Sequence, residues 1–206
     1  VDRYRKLTNV FEMRELSFFS YYADHAASNN DDSYLESCLK NQQRLWHAIP
    51  ELPFSHLWVA NRLHDQFPQN SVLHLGILSP LRSWGYFNID KSIDTFCNEG
   101  GFGIDGNLSS LIGASLLHPD KLYFGVVGDL SFFYDLNSLG NRHVRNNLRI
   151  LLINNSLGAE FHLFKQMNST YVNDIEKYLS AGGHFGHQSP TLVRHYAEDL
   201  GYEYLS

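Results

Sequence analysis

The chain has 206 residues and a formal net charge of −6. That is enough length for one well-filled core, and the acidic balance argues against nonspecific grip on nucleic-acid phosphates or anionic lipid. No apolar run approaches the roughly 20 residues needed to span a bilayer, and no signal-peptide pattern opens the chain. Cys38 and Cys97 are too few and too unpatterned for a disulfide framework or a zinc site, so two free thiols in a cytoplasmic protein are expected. Without an initiator Met, Val1 reads as a cut into a longer polypeptide.

Residues 1 to about 27 predict a helical stretch with apolar positions Phe11, Leu16, Phe18, Phe19 and Tyr22, an aromatic face suited to packing against another part of a larger molecule. Residues 28–32 form a polar break able to cap a helix. From 32 to about 66 two helices are expected, divided at Pro50 and Pro53. Leu35, Cys38, Leu39, Leu45 and Ile49 make one face, and Leu57, Val59, Ala60 and Leu63 the next. From Ser71 the pattern alternates. Strands are expected at 72–78, 94–97, 122–127 and 148–153, and helices at 106–117, 131–139, 171–179 and 190–200, with a further strand starting at Tyr202. Near-continuously apolar strands between helices imply an α/β fold. The expected sheet is doubly wound and mainly parallel, with helices on both faces and linker helices before it.

The chemistry concentrates where strands end. One strand delivers Gly128-Asp129-Leu130-Ser131 and the next delivers Asn154-Asn155, with Asn155 26 positions after Asp129. In a doubly wound sheet, ligands bind at the carboxyl ends of strands. An Asp oxygen, an Asn amide oxygen and a backbone carbonyl near Leu157 supply three ligands of an octahedral Mg²⁺, leaving three positions for phosphate oxygens and water. Gly128 permits close approach of the backbone, Ser131 offers a hydroxyl to a phosphate, and the turn opens a helix, which suits an anion. Gly-Asp and Asn-Asn after a strand are each common turns; the pair at two strand ends points to a metal site. The loop Gly100-Gly101-Phe102-Gly103-Ile104-Asp105-Gly106 allows a ligand to lie against its backbone, but its spacing is not the dinucleotide fingerprint. Read by itself, Ile104 there is a core contact. His184 and His187, three apart with no carboxylate at a suitable spacing, predict a loop near the rim of the site or a polar turn. Ser109 and Ser131 lack a nucleophile elbow, which excludes a hydrolase of that kind. Arg142, His143, Arg145 and Arg149 read as a solvated connection, too short for nucleic-acid binding.

Together these residues resemble the diphosphate-binding domain of thiamine diphosphate enzymes. Gly128-Asp129-Leu130-Ser131-Phe132-Phe133-Tyr134-Asp135-Leu136-Asn137, Gly103-Ile104-Asp105-Gly106-Asn107-Leu108-Ser109-Ser110 and the stretch from Gly76 to Arg82 narrow the likeness. They are similar to the menaquinone-pathway synthases, which couple a 2-oxoglutarate-derived succinyl unit to isochorismate. The resemblance covers about Pro53 to Phe164. It implies a preceding-domain tail at 1–27, a linker helix at 28–52 and a diphosphate-binding domain at 53–206 that is short at its C-terminal end. It further implies thiamine diphosphate and Mg²⁺ as cofactors, with Asp129, Asn155 and the Leu157 carbonyl on the metal. Gly103, Ile104, Asp105, Gly128, Leu130, Ser131, Asn155, Leu157 and Gly158 would line the cofactor. Ile104 would be the wedge that bends it, so that its aminopyrimidine reaches the carbon it must deprotonate. Arg82, Glu99, Glu160 and Phe164 would face a small 2-oxoacid and its acceptor.

The chain departs from the family pattern at three of these places. Glu99 stands where the family has Arg, Glu160 where it has an apolar residue, and Ser79 is displaced by one from a strand-end Gly-Asn-Ser. A carboxylate there repels a dicarboxylate unless it is protonated or paired. A divergent decarboxylase or carboligase, or a non-catalytic binding module, therefore remain alternatives. The family also needs a Glu from a separate pyrimidine-binding domain on a second subunit. That implies a homodimer or homotetramer and an inactive fragment in isolation, with no nucleic-acid or membrane partner.

Overall fold

The computed structural model describes residues 4–26, 31–101, 103–163, 174–178, 180–184 and 189–206. Phe164, His187 and half of the helix expected at 171–179 lie outside the described residues. The chain divides into two compact units, 1–51 and 52–206.

The first unit contributes α1 (Glu15–His25) and α2 (Ser33–His47), neither of which buries a residue. Phe18 gathers the rings of Phe11 and Tyr22 at centroid distances of 5.2 and 4.8 Å. The start of α2 is met by Asp31, whose Oδ1 accepts from the Ser33 N–H at 3.0 Å.

The second unit opens with α3 (His56–Leu63), capped by Ser55, whose hydroxyl accepts the Trp58 N–H at 3.2 Å. Four strands follow: β1 (Val72–Leu75), β2 (Asp94–Cys97), β3 (Tyr123–Gly128) and β4 (Leu148–Ile153). All pair in parallel, in the order β2-β1-β3-β4. The apolar strands are covered on both faces. Val72, Val127 and Tyr123 pack with Leu108, Leu111 and Ile112 of α5 (Asn107–Ser115). Leu73, Leu75 and Val126 pack with Ala60 of α3 and Trp84 of α4 (Ser79–Trp84). Leu111 lies so close to β3 that a Cβ on Gly125 would collide with its Cδ2. The architecture is the expected doubly wound α/β sheet.

The remaining helices are α6 (Asp129–Tyr134), which passes into a 3₁₀ turn at Leu136–Gly140, then α7 (Glu160–Leu163), α8 (Ile175–Tyr178) and α9 (Leu192–Asp199). Two strand expectations need correction. The first strand stops at Leu75 rather than running to Leu78, because Leu78 takes a φ of 74° and the chain turns into α4. No strand starts at Tyr202. Gly201, at φ 84°, ends the α9 region, and the Tyr202 hydroxyl donates to the Leu139 carbonyl at 2.9 Å. Among the described residues no helix is long and apolar enough to cross a membrane.

The strand order places the reversal of winding between β1 and β3, since β2 follows β1 to one side while β4 follows β3 to the other. Open α/β sheets bind ligands in the crevice at the carboxyl ends of such neighbouring strands.

Candidate functional site

Gly128 and Ile153 are paired in register, so Asp129 and the Asn154-Asn155 pair leave adjacent strand ends together. Neighbouring strands lie about 4.8 Å apart, which puts both side chains at one rim of the sheet. Asp129 is 2% exposed. Its Oδ1 accepts the Leu130 N–H at 2.8 Å, and its Oδ2 lies 3.1 Å from His184 Nε2. Asn155 is exposed, and its carbonyl accepts the Ser156 hydroxyl at 2.7 Å. Leu157 and Gly158 follow in the same loop. A Cβ on Gly158 would lie 3.2 Å from Leu130 Cδ1, so the loops that follow β3 and β4 touch there. Among the described residues no three His, Cys, Asp or Glu side chains gather around one point. A cation here therefore depends on amide, carbonyl and ligand oxygens, a hard donor set that suits Mg²⁺ and a diphosphate.

The glycine-rich loop is pinned from behind. Asn107 Nδ2 donates to the Ile104 carbonyl at 3.0 Å and to Ser131 Oγ at 2.7 Å, and Ser131 in turn donates to the Ile104 carbonyl at 2.6 Å. The Ser131 hydroxyl hydrogen is thus committed to fixing Ile104 rather than standing free for a phosphate. Asp135 joins the two motifs, accepting the Ser109 N–H at the start of α5 at 2.6 Å. Gly106, at φ 75°, makes the left-handed entry to that helix. Asp105 folds back so that a Cβ on Gly103 would collide with its Oδ1. Ile104 is half-buried and belongs to neither core cluster, so its core reading does not hold. The loop borders an open cavity of about 430 Å³ lined by Asn98, Gly100, Gly101, Gly103, Asp105 and Gly106.

The residues expected to face substrate separate. Glu99 is exposed in a 3₁₀ turn at Glu99–Gly101. Its charge adds to burial in pushing the Cys97 thiol up. Glu160 is buried at the start of α7 and forms an ion pair with Arg82 of α4, across 78 positions of sequence. Its side chain is 10% exposed and that of Arg82 50%. The solvent-facing reading of Glu160 is thereby excluded, and its charge is paired. Phe164 lies outside the described residues.

Two histidines complete the surroundings. His56, at the start of α3, is held below its ordinary pKa by burial, with the Asp129 charge opposing. Its Nδ1 is buried without a hydrogen-bond partner among the described residues. His184, expected in a loop near the rim of the site or in a polar turn, lies in a loop that reaches Asp129. The signal that two distant loops converge on Asp129 is tertiary, and no spacing in the chain carries it.

Comparison with known proteins assigns the architecture. No family model matches the chain. It is 33% identical over 210 residues to the 2-succinyl-5-enolpyruvyl-6-hydroxy-3-cyclohexene-1-carboxylate synthase of Bacteroides thetaiotaomicron, covering 99% of this chain and 35% of that protein. It is 43% identical over 184 residues to the synthase of the same name from Bacteroides fragilis, covering 85% of this chain and 32% of the relative. The chain therefore spans about a third of the length of these curated relatives. Among solved structures, the thiamine diphosphate-dependent 4-hydroxybenzoylformate decarboxylase of Rhodococcus jostii RHA1 superposes with a TM-score of 0.52 at 18% identity, over 74% of this chain and 28% of that one. This likeness shows the fold. The chain is a C-terminal domain of the thiamine diphosphate-dependent enzyme family. Within that family it resembles the synthases just named.

Proposed function

We propose that residues 53–206 form the diphosphate-binding domain of a decarboxylating carboligase that uses thiamine diphosphate and Mg²⁺, joining a 2-oxoglutarate-derived unit to isochorismate. In this reading residues 1–27 end a preceding domain and 28–52 are its linker. The observation that carries the proposal is the delivery of Asp129 and Asn155 from the in-register ends of β3 and β4, beside a loop whose Ile104 carbonyl is fixed by Asn107 and Ser131. Asp129, Asn155 and the Leu157 carbonyl would hold the metal. Gly103, Asp105, Gly128, Leu130 and Gly158 would bound the cofactor, with Ser131 acting through the Ile104 loop. Ile104 would press on the cofactor and keep it bent. The cofactor, when bound, supplies the nucleophilic carbon and the electron sink. The chain's residues supply position and charge, and a second subunit in a homodimer or homotetramer supplies the activating carboxylate.

Arg82 offers a cation to a substrate carboxylate, and its half-exposed guanidinium keeps donors beyond the one given to Glu160. The same pair motivates a second reading, in which the partly neutralised pocket takes a different 2-oxoacid. Calorimetry on the intact protein is expected to show thiamine diphosphate binding in the presence of Mg²⁺, and Asp129→Ala to weaken it by 100-fold or more, roughly the loss of one charge-assisted ligand. Equal binding by both proteins would sink the cofactor reading. Turnover of 2-oxoglutarate with isochorismate separates the two substrate readings, and turnover of another 2-oxoacid alone favours the second.

A further inference from the structure

The loop at 180–184 folds onto the loop that follows β4. The Gly158 N–H donates to the Ser180 carbonyl at 2.6 Å, and the Gly183 N–H to the Ser156 carbonyl at 3.1 Å. Both loops carry non-glycine residues in the left-handed region, Ser156 at φ 63° and Ala181 at φ 48°. Such conformations persist where the surroundings over-determine them. The outcome is a defined place for one side chain. The His184 ring is 15% exposed, stands edge-on to Phe133 at 5.4 Å between centroids, and sets Nε2 3.1 Å from Asp129 Oδ2. An ionised carboxylate only accepts, so Nε2 carries the hydrogen whatever the charge on the ring.

Both Asp129 oxygens are thus oriented from the protein side, Oδ1 by the Leu130 N–H and Oδ2 by His184. Groups that hydrogen-bond to a ligating carboxylate fix its plane, and losing one typically costs 10–100-fold in metal affinity. Resting on the Mg²⁺ assignment above, we infer that His184 is a positioning residue of the metal centre, acting through Asp129. It would make the loop at 180–184 part of the cofactor site, although no metal ligand comes from that loop.

The test is Mn²⁺ binding to the intact protein with thiamine diphosphate, followed by electron paramagnetic resonance. His184→Ala is expected to weaken Mn²⁺ binding by about tenfold or more, while His184→Gln, which keeps an N–H donor, stays within about threefold of wild type. Circular dichroism melting confirms that both variants fold. Equal Mn²⁺ affinity in wild type and His184→Ala overturns this inference alone. Nitrogen bonded directly to manganese in the pulsed spectrum also overturns it, because His184 is then itself a ligand. Absence of Mn²⁺ binding by the wild type overturns the metal assignment and this inference with it.

Discussion

The two sides of the crevice are made of different materials. On the β3 side, Ile104, Asn107 and Ser131 are tied by neutral hydrogen bonds of 2.6–3.0 Å, most of them involving backbone, and Asp135 anchors the start of α5. Each of these residues lies within one of two short motifs. On the β1 side the corresponding structure is an ion pair, Arg82 of α4 with Glu160 at the start of α7, and the second Glu160 oxygen is buried without a hydrogen-bond partner among the described residues. The first side is fixed by its own hydrogen bonds. The second is a charged element that one substitution re-sets.

The largest effect is expected from breaking the neutral side. Asn107 is 1% exposed and donates twice, so Asn107→Leu strands Ser131 Oγ and part of the Ile104 carbonyl's bonding. A loss of about 2–4 kcal/mol in urea unfolding is expected. A loss below about 1 kcal/mol means the loop is held by something else. The charged side should respond asymmetrically. Arg82→Ala leaves a buried carboxylate unpaired and should cost about 1–3 kcal/mol, whereas Glu160→Leu removes the buried charge and should stay within about 1 kcal/mol of wild type. The reverse ranking would contradict the picture of Glu160 as the buried partner.

The smallest effect lies in the sheet beneath. His74 on β1 is held below its ordinary pKa by burial, with Asn107 opposing. The unfolded chain then binds the proton first. The contribution is fully present above about pH 6.5 and is lost as pH falls toward the folded value, at no more than about 1.4 kcal/mol per pH unit. The melting temperature of the wild type should fall more steeply than that of His74→Gln as pH drops below about 6.5, and equal slopes would contradict the burial of His74.

Much of this was readable from the chain, because period and punctuation report local structure. β4 occupies 148–153 as expected, since its apolar run is bounded by polar residues on both sides. β1 was read three residues too long because Ile77 and Leu78 continue the apolar run, and the turn is made by a left-handed leucine where a glycine is the usual sign. The placement of Asp129 and Asn155 at adjacent strand ends was legible because strand ends are sequence-level features. The Arg82 partner of Glu160 and the Asp129 partner of His184 were not found, since each depends on where two loops meet in space. Ser131 was read as a phosphate donor, and in this structure its hydroxyl lies 2.6 Å from the Ile104 carbonyl.

The central assignment is a metal held between the ends of β3 and β4. Crystals of the intact protein grown with thiamine diphosphate and Mn²⁺ would locate the ion by anomalous scattering. A peak bonded to an Asp129 oxygen, the Asn155 amide oxygen and the Leu157 carbonyl, at roughly the 2.0–2.2 Å typical of small divalent cations with oxygen ligands, is the expected result. Cofactor bound with no peak between Asp129 and Asn155, or a peak elsewhere, would contradict it.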